Sequence, residues 1–111
     1  MSDENSAARI RELNDQFRKS LIGGRILMTP GVSTLSSEQT VELLTAVKAF
    51  DSFTEDNDPY GEHDFGSIEM HGTKYFFKID YYDPSLTYGS EDAADASKTV
   101  RVLTVMLADE Y

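Results

Sequence analysis

Residues 64–82 read DFGSIEMHGTKYFFKIDYY, two runs of alternating residues that meet at His71–Gly72. No other stretch constrains the chain so tightly. Two residues with glycine second, between aromatic and β-branched runs, signal a β-hairpin turn, because both central positions of that turn need a positive φ. The hairpin fixes register, and register fixes faces. Tyr75, Phe77, Ile79 and Tyr81 fall on one side of the second arm; Lys74, Phe76, Lys78, Asp80 and Tyr82 fall on the other. An apolar sheet face must be covered, so the rest of the chain has to supply the cover.

Two helical patterns do so. Ile10, Leu13, Phe17 and Leu21 recur at helical spacing behind a predicted cap at Ser6, while Arg9, Arg11, Glu12, Asp15, Arg18 and Lys19 lie off that stripe. Gly23–Gly24 ends this helix. RILMT (25–29) predicts a short strand and Pro30–Gly31 a turn. A second helix is expected from Ser36 or Ser37, with Glu38 or Gln39 in its first turn. Its face would carry Val41, Leu44, Val47 and Lys48, with Leu43 and Phe50 beside it, and it would end near Phe50–Phe53. After the polar connection DPSLTYGSEDAADAS (83–97), the Val- and Thr-rich TVRVLTVMLADEY predicts a last strand. The order helix, short strand, helix, β-hairpin, strand implies an α+β fold, with two helices packed on one face of a small, mainly antiparallel sheet. The 111 residues suit one domain, expected over residues 6–111 behind a disordered 1–5.

Charge narrows the function classes. Twenty acids face ten bases, and the excess is uneven: residues 1–25 hold five bases and four acids, residues 26–111 five bases and sixteen acids. Such a surface repels duplex nucleic acid and anionic membrane, so direct nucleic-acid binding is not expected and a basic protein partner is. The chain has no cysteine, which removes disulfides, thiolate zinc sites and cysteine nucleophiles. No apolar run approaches bilayer length, and MSDENSAARIRE lacks the apolar core of a signal peptide, so a cytoplasmic protein is expected.

The acids concentrate in TEDNDPYGEHDFG (54–66), where thirteen residues include five acids and a histidine. Read as a calcium loop from Asp56, the stretch places Asp58 and Gly61 where an EF-hand needs them. Ser67 then stands where a bidentate Glu is required, and the exit reads as strand, so this is not an EF-hand. A looser oxygen-ligand site for calcium or magnesium would use Asp56, Asp58, Glu62, His63 and Asp64; no other cofactor is expected. The same residues could form an acid/base pair around His63, the basis of a cation-dependent hydrolase. No phosphate-binding glycine loop, G-x-S-x-G elbow or H-E-x-x-H motif supports catalysis. Turn formation by Asn57, Asp58, Pro59 and Gly61 accounts for much of the composition. In KIDYYD, Tyr82 with Asp80 and Asp83 would form an acidic aromatic patch suited to an arginine-rich partner.

RIRELND, GGRILMTPGV, FDSFTEDNDPYGEHDFGSIE, FFKIDYYDPSL and TVRVLTVMLADEY run in order from Arg9 to Tyr111. Together they resemble a family of small stand-alone bacterial proteins of unknown function, often encoded on mobile or plasmid-borne DNA. The resemblance implies no activity and carries no residue role. It makes an inhibitor that mimics nucleic acid conceivable. The expected function is a non-enzymatic acidic binding protein using Asp56, Asp58, Glu62, Asp64, Asp80, Tyr82 and Asp83. The alternatives are the cation-dependent hydrolase and a structural homodimer with its last strand at a sheet edge.

Overall fold

The computed structural model describes residues 3–111, with side chains from Ser6 onward. Helix α1 (Asp3–Ser20) leads to β1 (Arg25–Met28), a one-turn helix α2 (Pro30–Ser33), α3 (Ser37–Ala49), β2 (Phe65–Met70), β3 (Thr73–Tyr82) and β4 (Val100–Leu107). Short 3-10 turns, Ala96–Lys98 and Ala108–Glu110, flank β4. The four strands lie in the order β1-β4-β3-β2; β1 runs parallel to β4, and the other pairings are antiparallel. The fold is α+β with a mainly antiparallel sheet, as the element order implied.

The hairpin turns at His71–Gly72 with φ of 53° and 79°. Alternation then places Tyr75, Phe77 and Ile79 in the core at 4%, 0% and 3% exposure. Phe17 of α1 and Leu43 and Val47 of α3 pack against that face, with Ile68, Met70, Leu103 and Val105 from the neighbouring strands. Among the described residues the opposite face carries no α-helix. Phe65, Phe76 and Tyr111 form an aromatic cluster there, ring centroids 5.0–5.8 Å apart. Beside them Lys78 pairs with Asp80 at 2.8 Å.

Four expectations are corrected. Helix α1 runs from Asp3, so Ser6 lies inside it rather than capping it, and Met1 and Ser2 lie outside the described residues. Acids at its start suit the positive end of a helix dipole. Pro30–Gly31 is not a bare turn but opens α2, proline being pre-set for a first helical position. Ser36 does cap α3, in a reciprocal box with Gln39. The buried stripe of α3 is Leu43 and Val47, with Leu44, Ala46 and Phe50 partly buried beside them, and Val41 is 64% exposed. That phase keeps Lys48 in water. The last strand is not an edge: β4 lies between β1 and β3. Val102 and Met106 point to one face and Leu103 and Val105 to the other, all buried, and a strand apolar on both faces belongs in a sheet interior.

Candidate functional site

The acidic loop between α3 and β2 is folded against α1. Asn57 starts it: its side-chain oxygen accepts from the Thr54 amide (2.8 Å), and its amide nitrogen donates to the Ser52 carbonyl (3.0 Å). Asp58 closes it. One carboxylate oxygen accepts from the Glu62 and His63 amides, both at 3.1 Å, and the residue is 8% exposed. That clamp holds His63 at φ 57°, a left-handed conformation uncommon outside glycine.

Side chains from α1 then fasten the loop. Arg11 donates to the Gly61 carbonyl at 3.0 Å. Asn14, fully buried, donates to the Glu62 carbonyl (2.9 Å) and to the Tyr81 hydroxyl (2.8 Å), and its oxygen accepts from Arg101 Nε (2.7 Å). The Tyr81 hydroxyl in turn donates to the Glu62 carboxylate at 2.8 Å. Burial pushes the Tyr81 phenol well above its ordinary range, with Glu62 adding to the rise, so it stays a donor. His63 stacks flat on Phe53, centroids 3.8 Å apart. Its Nδ1 lies 2.9 Å from Asp15, and its Nε2 3.8 Å from Asp58. Asp15 also receives Arg18 at 3.1 Å, and Arg18, 1% exposed, reaches the Val47 and Lys48 carbonyls at the end of α3.

This arrangement orients a histidine between two carboxylates. Its hydrogen bonds run between parts of the fold. Of the residues expected to bind a metal ion, Asp56 is exposed at the loop surface, Asp58 is turned to backbone amides, and Glu62 is held by Tyr81. Among the described residues no three His, Asp or Glu side chains gather as a metal ion would require. The partner-binding set also divides. Asp80 is paired with Lys78 on the helix-free face, where Tyr82, Arg25 and Leu27 share a shallow groove with it. Asp83 is a turn staple, its oxygen accepting from Ser85 Oγ (2.8 Å) and the Thr87 and Tyr88 amides (3.0 and 3.3 Å).

Buried Asn14, Arg18 and Arg101, with half-buried Asp15 and Tyr81, form the polar network of this region, and the sequence pattern did not bring them together. A signal was present for two of them. Asn14 interrupts the apolar stripe of α1 one turn after Ile10, and Arg101 sits at the inward register of an apolar strand.

Asp64 supplies a pH test. Burial, then the nearby Glu62, raises its carboxyl above the ordinary value. A carboxyl raised in the folded state binds its proton more tightly there than when unfolded. Its ionisation therefore erodes stability as pH climbs from the unfolded value through the folded one. Asp64→Asn should be at least as stable as the parent at about pH 7 and should lose that relative gain at about pH 4, read from urea midpoints. An equal deficit at both values would contradict the assignment.

A family model described as a protein of unknown function (DUF3768) matches residues 28–110. No curated protein and no solved structure matches the chain. The matched span contains the acidic loop, Tyr81 and Arg101; α1, with Asn14 and Asp15, precedes it.

Proposed function

The chain belongs to the DUF3768 family, whose description assigns no activity, and we propose that it is a non-enzymatic binding protein engaging a basic protein surface through the summed charge of its exposed carboxylates. One observation carries this reading. The reactive-looking groups of the acidic loop, Asp58, Glu62 and His63, are engaged by the fold itself, whereas Asp51, Glu55 and Asp56 of the same segment are exposed. Glu91 and Asp92 extend the acidic surface from the connection before β4. A compact body carrying carboxylates at its loops, with a net charge of −10, is suited to a surface that otherwise holds phosphates. A nucleic-acid-mimicking inhibitor is the sharpest form of this reading. Among the described residues no helix is long and apolar enough to cross a membrane.

The Asp15–His63 pair favours one competing reading, a cation-dependent hydrolase centred on the Asp56–Asp64 loop. A pulldown from the native host at low and high salt, followed by substitution, separates the two. Asp51→Asn, Glu55→Gln and Asp56→Asn should each weaken capture of the partner by about 0–1 kcal/mol, add roughly together, and matter less as salt rises. A catalytic group behaves otherwise, its loss costing about 10²–10⁴-fold in rate. If His63→Gln alone abolished every effect on the captured partner, at unchanged melting temperature and affinity, the binding reading would fall.

A further inference from the structure

Arg101 is a buried cation whose hydrogen-bond partners are neutral groups. It is 5% exposed, inside a protein with twice as many acids as bases, yet among the described residues no carboxylate forms an ion pair with it. Its contacts are neutral: Nε donates to Asn14 Oδ1, Nη2 to the Ala93 carbonyl, and the guanidinium lies 5.2 Å from the centre of the Tyr81 ring. A guanidinium has five N–H donors, so the Nη1 pair and one Nη2 donor have no acceptor among the described residues. A guanidinium buried without an ion-pair partner is costly. Burial holds it below its ordinary pKa and Arg9 repels it, while Tyr81 and Glu62 act the other way, and it stays charged at neutral pH. Glu62 lends its charge from a distance, its carboxylate accepting from the Tyr81 hydroxyl.

Arg101 lines a cleft of about 180 Å³ between the end of α1 and the segment entering β4. Leu13, Phe17 and Ile22 make its apolar wall; Gln16 and Thr99 are its other polar side chains. Ile22 stands at the mouth, 78% exposed.

We propose that this cleft binds a small monocarboxylate, its two oxygens on the free guanidinium edge of Arg101 and its short apolar tail against Leu13, Phe17 and Ile22. The chemistry of the cleft selects the class. A planar guanidinium edge matches the two oxygens of a carboxylate. One cation balances one negative charge, and a net charge of −10 on the whole protein disfavours a dianion such as phosphate. The volume takes only a few carbons beyond the carboxylate, roughly six water volumes at about 30 Å³ each.

The probe is sodium 3-methylbutanoate, titrated into isotope-labelled protein and followed by amide chemical shifts. Sodium chloride at equal ionic strength and sodium phosphate are the comparison arms. Saturable shifts confined to Gln16, Gly23, Ala96 and Thr99 are expected with the carboxylate alone. Arg101→Gln should abolish them, but that substitution also removes the bond to Asn14 and threatens the fold. Ile22→Asp therefore serves as the second variant: it alters only the exposed mouth, and it should weaken binding about tenfold or more by repulsion while the melting temperature holds. Shifts that never saturate, or that Ile22→Asp leaves untouched, would overturn the site. Phosphate acting on the same amides as strongly would overturn the carboxylate class.

Discussion

Phe77→Ala should lower the melting temperature by about 12–20 °C, the equivalent of about 3–5 kcal/mol for a buried phenylalanine in a domain of this size. Phe77 has no exposure, and its ring sits where three elements meet. Phe50, at the end of α3, meets it edge to face with centroids 5.2 Å apart. Gly66 of β2 lies directly beneath, where a β-carbon would collide with the ring. The Arg18 guanidinium is 5.8 Å from the ring centre, and its Nε has no hydrogen-bond partner. Truncation would open a void beside a buried cation, so the site cannot relax by simple apolar collapse. Phe76→Ala is the internal comparison. Phe76 is half-buried on the helix-free face, against Phe65 and Tyr111, and its loss should cost clearly less. Should Phe76→Ala prove the more damaging of the two, the inward phase of β3 would be refuted.

That phase was legible because strand alternation is strictly local. Each residue of 73–82 declares its face relative to its neighbours, and the His71–Gly72 turn anchors the register. What depends on distant partners was not legible. Arg18 reads as a surface residue three positions from Asp15, a pairing any exposed helix shows. Its burial comes from carbonyl acceptors 29 and 30 residues away, at a helix end where the last carbonyls turn to partners outside the helix. Asp58 misled for a similar reason. Its type and spacing are those of a cation ligand, but the sequence does not reveal that the backbone amides of Glu62 and His63 take up the carboxylate. The interior place of β4 was visible in principle, in a run apolar on both faces, and chain order argued against it only by default. The candidate site followed the same division: the loop stood out by composition, while the side chains that fasten it lie on α1, β3 and β4.

Asn14→Leu should cost about 3–5 kcal/mol although it replaces a polar group in the core with an apolar one of similar size. The substitution removes an acceptor from Arg101 Nε and a donor from both the Glu62 carbonyl and the Tyr81 hydroxyl. Tyr81 keeps its bond to the Glu62 carboxylate, so two groups are left fully unpaired. Each buried orphan costs about 1–3 kcal/mol, and the one on a charged group lies toward the upper end. Better apolar packing offsets little of this, because the new side chain faces a guanidinium and a phenol. The effect should also be local in a way that a simple cavity would not be. Asn14 joins α1 to the acidic loop, so amides from Thr54 to His63 should exchange with solvent faster in the variant, at denaturant levels where the β3 and β4 amides stay protected. Tyr81→Phe, made alone and in combination, isolates the shared network: the double variant should cost less than the two singles added, by about 0.5–3 kcal/mol. Strict additivity together with unchanged loop exchange would mean that Asn14 is not the link between the helix and the loop. The acidic segment would then be held by its other contacts, the Asp58 clamp, Arg11 on Gly61 and Asp15 on His63.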